Sequence, residues 1–140
     1  MQDTDANRIA HLQMIEEVIK RMSSNSFLLK GWSLTVVAAL GGLAIANKRS
    51  ELVYGPLFTS LMFWCLDGYY LRLEQLFRRL YDSVRTAPVN TLSDSMFSMQ
   101  TTKYAGDARG WFHIMFSVQF MLFHGVIIAL SVGLIISQVA

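Results

Sequence analysis

The chain has 140 residues, of which 53% are hydrophobic and only 16% are charged, and its formal net charge is +2. Because an ordinary soluble domain carries about 25% charged residues, this composition argues against a globular domain surrounded by water. The single cysteine, Cys65, excludes an intrachain disulfide and has no neighbouring metal-ligand partner in the sequence, so we interpret it as a packing residue.

The N-terminal segment, residues 1–26, predicts a cytoplasmic amphipathic helix. Apolar side chains recur there at three- and four-residue spacing; they are Ile9, Leu12, Ile15, Ile19 and Met22. The polar cluster at 23–26 (SSNS) interrupts this pattern and predicts a turn or kink before Phe27. Such a helix could lie on the membrane surface or form a cytoplasmic wall packed against neighbouring subunits.

Three stretches are apolar enough to predict transmembrane helices, since about 20 residues cross the hydrocarbon core. Residues 31–47 and 52–66 carry no charge, and the second stretch reaches residue 71 if Asp67 is admitted. The 31 residues from Gly110 to Ala140 contain no Asp, Glu, Lys or Arg. The predicted spans are 27–47, 52–71 and 110–138. Buried helices of a soluble α-domain are the alternative, and they are disfavoured because the chain offers too little polar sequence to cover three apolar helices.

The second predicted helix continues beyond the membrane. In the string LRLEQLFRRLYDSVR, apolar residues repeat along one side and charged residues occupy the other. We therefore predict a helix that projects into the cytoplasm as far as residue 86, because Pro88 cannot continue a helical ladder. Residues 87–109 are polar and rich in Ser and Thr, and they predict a cytoplasmic loop.

Positive charges predict the orientation. Three of the twelve Lys and Arg residues lie in the N-terminal segment, Lys30 flanks the uncharged stretch 31–47 on its N-terminal side, and six lie between the second and third spans. Only Lys48 and Arg49 lie between the first two spans. By the positive-inside rule, the N-terminus and residues 72–109 are cytoplasmic, and the 47–51 loop and the C-terminus are external. The sequence thus predicts one all-α integral membrane domain with three transmembrane helices.

Asp67 is the one carboxylate within a predicted span, in the string MFWCLDGYYLR. Ionisable residues inside a membrane are functional candidates by default. A structural carboxylate that ties helices together near the interface is an equal alternative. The predicted ion-pair partner is Arg72 or Arg109.

The last predicted span carries three polar residues that could line a hydrated path or bond between helices: His113, Gln119 and His124. Eleven residues separate the two histidines, so an unbroken helix would place them on one face about 16 Å apart. Gln119 lies on a different face. Ordinary hydrogen bonding between helices is the simpler alternative for each.

Small residues at four-residue spacing predict close contacts between helices and favour self-association. They are Ala38, Gly42 and Ala46 in the first span and Gly125, Ala129 and Gly133 in the third. Some of this surface must also serve packing within one chain.

Cytoplasmic cations predict a positively charged collar suited to the phosphates of a nucleotide or oligonucleotide. The candidate residues are Arg72, Arg78, Arg79, Arg85 and Lys103. The alternative is that these charges only fix the topology and contact anionic lipid headgroups.

Catalytic motifs are missing from the sequence, which has no HExxH, no Walker loop and no usable Ser–His–Asp arrangement. His11, His113 and His124 fall in separate layers of the predicted topology. We therefore predict no catalytic residue, no metal site and no cofactor, and the chain is not predicted to be an enzyme.

Two strings, HLQMIEEVIKRMSSNSFLLKGWSLTVVAAL and FWCLDGYYLRLEQLFRRLYDSVR, resemble a family of small bacterial membrane proteins. The shared pattern reads H-L-x-x-I-x-x-V-I-x-R-M-x-x-N-S-F-x-x-K-G and then F-W-x-L-D-x-Y-Y-L-x-x-E-x-x-F-R-x-L-Y, over roughly residues 11–40 and 63–85. The last span matches only in being apolar. The family is that of the membrane effectors of two-gene anti-phage systems of the Hailong type.

The resemblance implies a tetrameric channel in the bacterial inner membrane with a periplasmic C-terminus. Deoxyadenylate oligomers made by a partner nucleotidyltransferase would hold it inactive until infection removes them, and ion flow would then depolarise the membrane. The alternative function is a non-conducting membrane anchor that recruits a soluble cytoplasmic partner through residues 1–26 and 72–109.

Overall fold

The computed structural model describes residues 2–47, 50–88, 97–106 and 110–139. Four α-helices contain most of them: α1 (Gln2–Asn47), α2 (Tyr54–Thr86), α3 (Trp111–Met115) and α4 (Val118–Val139). Short 3-10 helices lie at Ser50–Val53 and Thr102–Tyr104. No strand occurs in these ranges, and the predicted all-α class is confirmed. The predicted loop 87–109 lies partly outside the described residues.

Helix α1 is unbroken over 46 residues, about 69 Å at 1.5 Å per residue. The turn predicted at 23–26 is therefore wrong. The segment contains no proline. Serine and asparagine each destabilise a helix by only about 0.5 kcal/mol relative to alanine. Ser26 does not cap a new helix; its side chain is buried and bonds to α2 instead.

Helix α2 runs antiparallel to α1 for 33 residues, about 50 Å. Pro56 lies in its first turn, where the missing N–H would have no intrahelical partner. The helix continues through the charged segment and ends at Thr86. Ala87 then takes an extended conformation (φ −64°, ψ 139°), because the following Pro88 disfavours helical geometry in the residue before it.

One end of the α1–α2 hairpin has an ordinary hydrophobic core. Ile15, Leu80 and Val84 are buried together, and partly buried apolar side chains surround them. Leu12 and Ile19 belong to that surrounding shell, so the apolar side of residues 1–26 packs against α2. This end of the hairpin is built like a small soluble helical pair.

The other end has an interior of both polar and apolar side chains, and many large apolar side chains are exposed on its outer surface. Its buried polar residues are Ser26, Ser33, Ser60, Asp67, His124 and Ser131. Large apolar residues face outward along all three long helices; among them are Phe27, Trp32, Phe58, Leu122 and Leu130. Interiors rich in small and polar residues are typical of helices that associate in lipid.

Two helices, α1 and α4, are long and apolar enough to cross a membrane. In their most apolar stretches only 11% and 22% of the residues are buried, whereas the core helix of a soluble protein would be mostly buried. The third predicted span, 52–71, is not among them, because Pro56, Asp67 and its polar aromatic residues reduce its hydropathy.

The predicted span 110–138 is not one helix. The helix is interrupted at Phe116–Ser117, between α3 and α4. An unbroken helix would pair the Met115 carbonyl with the Gln119 N–H; that carbonyl instead accepts the Trp64 indole N–H of α2 at 3.2 Å. Helix α4 alone is 22 residues long, about 33 Å, which matches the hydrocarbon thickness of about 30 Å.

Candidate functional site

A buried carboxylate, Asp67, lies where α1, α2 and α4 meet. Its side chain has no solvent exposure. Lys30 Nζ lies 2.6 Å and His124 Nε2 lies 2.9 Å from Asp67 Oδ2, and the Ser26 hydroxyl donates to Oδ1. Lys30 also donates to the Ser26 hydroxyl at 2.9 Å. We refer to Ser26, Lys30, Asp67 and His124 as the Asp67 cluster.

Helical spacing brings these residues to one point. Ser26 and Lys30 stand four residues apart on α1, and therefore project from the same face. Asp67 lies on the face of α2 that packs against both other helices, and Gly68, also buried, lets α3 approach beside it. His124 enters from α4. The cluster thus needs the correct register of three helices at once.

Aromatic rings surround the cluster. Trp64 stacks on His124 with ring centroids 6.4 Å apart and planes inclined by 22°. Phe120 and Phe123 contact the same imidazole at 5.7 Å and 5.1 Å. The Lys30 ammonium lies 5.0 Å from the Phe120 centroid, within cation–π range. In such apolar surroundings a charged hydrogen bond is strong, and an unpaired charge is costly.

The predicted ion pair between Asp67 and Arg72 is wrong. Arg72 is five residues farther along α2, so its side chain is turned about 140° away from that of Asp67. Lys30 supplies the positive charge instead. Arg109, the other predicted partner, lies outside the described residues.

The two histidines of the last predicted span do not share a face. His124 is buried in the Asp67 cluster, whereas His113 and Gln119 are exposed. The prediction assumed an unbroken helix, and the interruption at Phe116–Ser117 changes the rotational register between α3 and α4.

A second polar site, which we call the basic pocket, lies between the N-terminal part of α1 and the C-terminal part of α2. Its volume is about 570 Å3. Five charged residues, with Ile19 and Tyr81, line it: Glu16, Lys20, Arg78, Asp82 and Arg85.

Every cation of the basic pocket has a carboxylate neighbour. The pairs are Lys20–Glu16 at 3.0 Å, Arg78–Glu74 at 2.7 Å and Arg85–Asp82 at 3.4 Å. The three cations are more than half exposed, and the two pairs whose carboxylates are also exposed, Lys20–Glu16 and Arg85–Asp82, contribute at most about 1 kcal/mol each. Glu74 is buried, so its pair with Arg78 is more costly to break. An anionic ligand can therefore compete for Lys20 and Arg85 at little cost.

The structure distributes the predicted phosphate-binding residues over separate places. Arg78 and Arg85 line the basic pocket together with Lys20, which the sequence analysis did not select. Arg72 lines a different cavity beside Trp111. The remaining two are exposed and line neither cavity: Arg79 and Lys103.

The small residues make few close contacts within the chain. A Cβ atom added at Gly42, Gly125 or Gly133 would meet no other atom within 4 Å. Ala38 and Gly42 line an apolar groove of about 450 Å3 between α1 and α4. The other members are also solvent-facing: Ala46 and Ala129. This surface remains free for lipid or for another copy of the chain.

Sequence reasoning selected Asp67 and His124 but missed Ser26 and Lys30. Lys30 drew attention only as the charge that flanks the first span. The available signal was its spacing from Ser26, which puts a hydroxyl and an ammonium group on one face of an otherwise apolar helix.

Among the residues that the structure describes, no group of three His, Cys, Asp or Glu side chains is arranged to hold a metal ion. Comparisons with protein-family models, with curated proteins and with solved structures find no match. The functional interpretation therefore depends on the Asp67 cluster, the basic pocket and the surface that surrounds them.

Proposed function

We propose that the chain forms a homo-oligomeric ion channel of the bacterial inner membrane, controlled from the cytoplasm by a nucleotide or oligonucleotide. The observation that carries this proposal is the buried Asp67 cluster inside the end of the molecule whose outer surface is apolar. Charges at such a depth are expensive, and they are usually kept for ion pathways or switches.

The Asp67 cluster acts as a latch in this proposal. With Lys30 and His124 on one carboxylate, the three helices are held together and the charges are compensated. Separation of α1 or α4 from α2 would leave these groups unpaired unless water entered. A hydrated path lined by Asp67 and His124 is then the favourable open state.

The basic pocket supplies the control site. Arg78 is eleven residues from Asp67 on α2, about 17 Å, and Lys20 is ten residues from Lys30 on α1, about 15 Å. Both helices are unbroken over these stretches. A phosphate that bridges the two helices in the basic pocket would bias their separation at the Asp67 cluster.

Residence in a membrane is part of the proposal. The exposed apolar surfaces of α1 and α4 support two crossings. We propose that the first half of α2 makes the third crossing, which leaves the charged half of the α1–α2 hairpin in the cytoplasm. The uncontacted Gly42, Gly125 and Gly133 suit an interface between copies. The resemblance to anti-phage effectors supports a role in depolarising infected cells.

A non-conducting anchor remains the second candidate, and one observation favours it. The cations of the basic pocket already have carboxylate partners, and such a mixed-charge surface suits recognition of a soluble protein as well as of a phosphate. Under this function the Asp67 cluster would be purely structural.

The test is ion flux through the purified protein in liposomes, with and without short deoxyadenylate oligomers. We expect flux that the oligomer suppresses. Arg78→Gln should weaken this suppression about tenfold or more, because one charge-assisted contact contributes about 1.5–3 kcal/mol. Arg79→Gln is the matched control, since Arg79 is the neighbour of Arg78 in sequence and its exposed side chain does not line the basic pocket.

Absence of flux with and without the oligomer would exclude the channel and favour the anchor. Flux that is insensitive to oligomers in wild type and both variants would retain the channel but remove the basic pocket as its control site.

A further inference from the structure

A third cavity, of about 400 Å3, lies at the junction of α2 and α3 and has no role in the proposed channel. It is lined by Tyr69, Arg72, Leu73, Leu76 and Trp111. Its volume falls within the range of about 300–1,000 Å3 that is typical of small-ligand sites. Its chemistry differs from that of the basic pocket, because one arginine is accompanied only by apolar and aromatic residues.

Two hydrogen-bond donors of this cavity have no acceptor. Arg72 Nε and Trp111 Nε1 are both closed to solvent, and neither has a partner among the residues that the structure describes. A ligand oxygen therefore bonds to them only when the two side chains turn toward the cavity. Both groups donate and cannot accept. A buried donor without a partner is destabilising, and more so when it is charged. No carboxylate lines the cavity, so a complementary ligand must bring both acceptor oxygens and negative charge.

An exposed apolar stripe leads away from this cavity along α2. Tyr69 lines the cavity itself, and Leu66, Met62 and Phe58 follow it at three- and four-residue spacing on the same face. All four side chains are exposed, Phe58 to 72%. The stripe from Tyr69 to Phe58 is about 17 Å long, close to half of a hydrocarbon core of about 30 Å.

We propose that this cavity binds the phosphate of an anionic phospholipid whose acyl chain lies along the stripe. The phosphate oxygens would accept from Arg72 and Trp111, and one acyl chain would cover Leu66, Met62 and Phe58. A free phosphate would meet the two donors but would leave this apolar surface bare. An amphiphile satisfies both, and tyrosine and tryptophan are common at the headgroup level of membranes.

The site connects lipid to the Asp67 cluster. Trp111 lies against Gly68, the neighbour of Asp67, with its Nε1 3.2 Å from where a Cβ of residue 68 would be. A bound headgroup that holds Trp111 therefore holds α3 against α2 beside the cluster. This inference assumes the membrane residence of α2 but not channel activity.

Native mass spectrometry of the full chain released from nanodiscs tests the proposal. The nanodiscs contain equal amounts of phosphatidylglycerol and phosphatidylcholine. We expect the wild type to retain phosphatidylglycerol preferentially. Arg72→Gln should reduce that retention about tenfold, and Trp111→Phe, which keeps the ring and removes the N–H, should reduce it several-fold. Arg79→Gln is the control cation and should retain lipid like the wild type.

Equal retention by Arg72→Gln and wild type would overturn the proposal. A third arm adds inorganic phosphate or a short deoxyadenylate oligomer to the sample. Inorganic phosphate or the oligomer could displace the lipid from proteins that contain Arg72 and not from Arg72→Gln. In that case the two donors bind a soluble phosphate, and the lipid proposal is likewise overturned. Ion flux and its suppression by the oligomer are measured in a different experiment from lipid retention. Failure of the lipid proposal is therefore distinguishable from failure of the channel proposal.

Discussion

Asp67 shows how one side chain can connect distant parts of the chain. Its hydrogen-bond partners Ser26 and His124 are 41 and 57 residues away in sequence, and they lie on different helices. At this end of the molecule, the cluster adds polar contacts between three helices to an interior that is partly apolar.

We expect Asp67→Asn to lower the free energy of unfolding in detergent by about 2–3 kcal/mol, because it removes the charged acceptor that the partly exposed Lys30 ammonium and the buried His124 share. Adding Lys30→Met to this variant should recover a substantial part of the loss, since the unpaired cation is then removed. Equilibrium unfolding monitored by circular dichroism measures both effects.

Asp82→Asn is the control for this experiment. Its exposed pair with Arg85 contributes at most about 1 kcal/mol. If the Asp67 and Asp82 variants lose similar stability, the cluster does not hold the three helices together.

The residues of the cluster were only partly predictable. A carboxylate within an apolar stretch is visible in the sequence, so Asp67 was selected as a candidate. Its partner depends on which helix faces it, and that is a property of tertiary packing. Sequence proximity favoured Arg72, whereas the α1–α2 hairpin brings Lys30 to the same depth.

At the scale of elements, the contact of α2 with α3 depends on one glycine. Gly68 is buried under α3, and a Cβ added there would lie 2.9 Å from Met115 Cγ and 3.2 Å from Trp111 Nε1. Only a residue without a side chain permits this approach. The interruption between α3 and α4 orients α3 for this contact, and the Trp64 indole satisfies the carbonyl that the interruption frees.

Gly68→Ala should therefore destabilise the protein by about 1–3 kcal/mol through overpacking. Gly31→Ala is the matched control: it also lies within a long helix, and its added Cβ meets no atom within 4 Å. It should stabilise the protein by up to about 1 kcal/mol, the helix-propensity difference between the two residues. Thermal unfolding in one detergent compares them, and equal shifts would contradict the close approach of α3.

Helix ends and interruptions were predicted with unequal success. The end of α2 before Pro88 follows from local chemistry, because proline restricts the residue before it. The break at Phe116–Ser117 has no such local signal, since no proline or glycine occurs there. The break depends on two contacts with α2: the Trp64 N–H bonds to the Met115 carbonyl, and Gly68 leaves room for α3.

The whole molecule combines two kinds of helix packing. One end of the α1–α2 hairpin buries Ile15, Leu80 and Val84 as a soluble protein does. The other end buries polar side chains beside apolar ones and exposes many large apolar residues. The interior and surface of this helix pair therefore differ between its two ends, as the proposed function expects if one end lies in the membrane and the other in the cytoplasm.

Cysteine labelling in intact cells tests this arrangement and the third crossing by α2. In a Cys65→Ser background, we expect Glu51→Cys and Gln138→Cys to react with a membrane-impermeant maleimide from outside. Glu16→Cys and Asp82→Cys should react only after lysis. Labelling of Asp82→Cys in intact cells would show that α2 does not cross.

The sequence alone determined that the chain is helical, where its long uncharged stretches lie, and that α2 ends before Pro88. These are local properties, because hydropathy and backbone preference act over a few residues. Only the tertiary structure decided that α1 is unbroken beyond Ser26, that the last apolar stretch is divided in two, and that Lys30 neutralises Asp67. Each of these depends on contacts between helices that are distant in sequence. When a neighbouring helix offers a hydrogen-bond partner, a polar side chain bonds to that helix and does not interrupt its own.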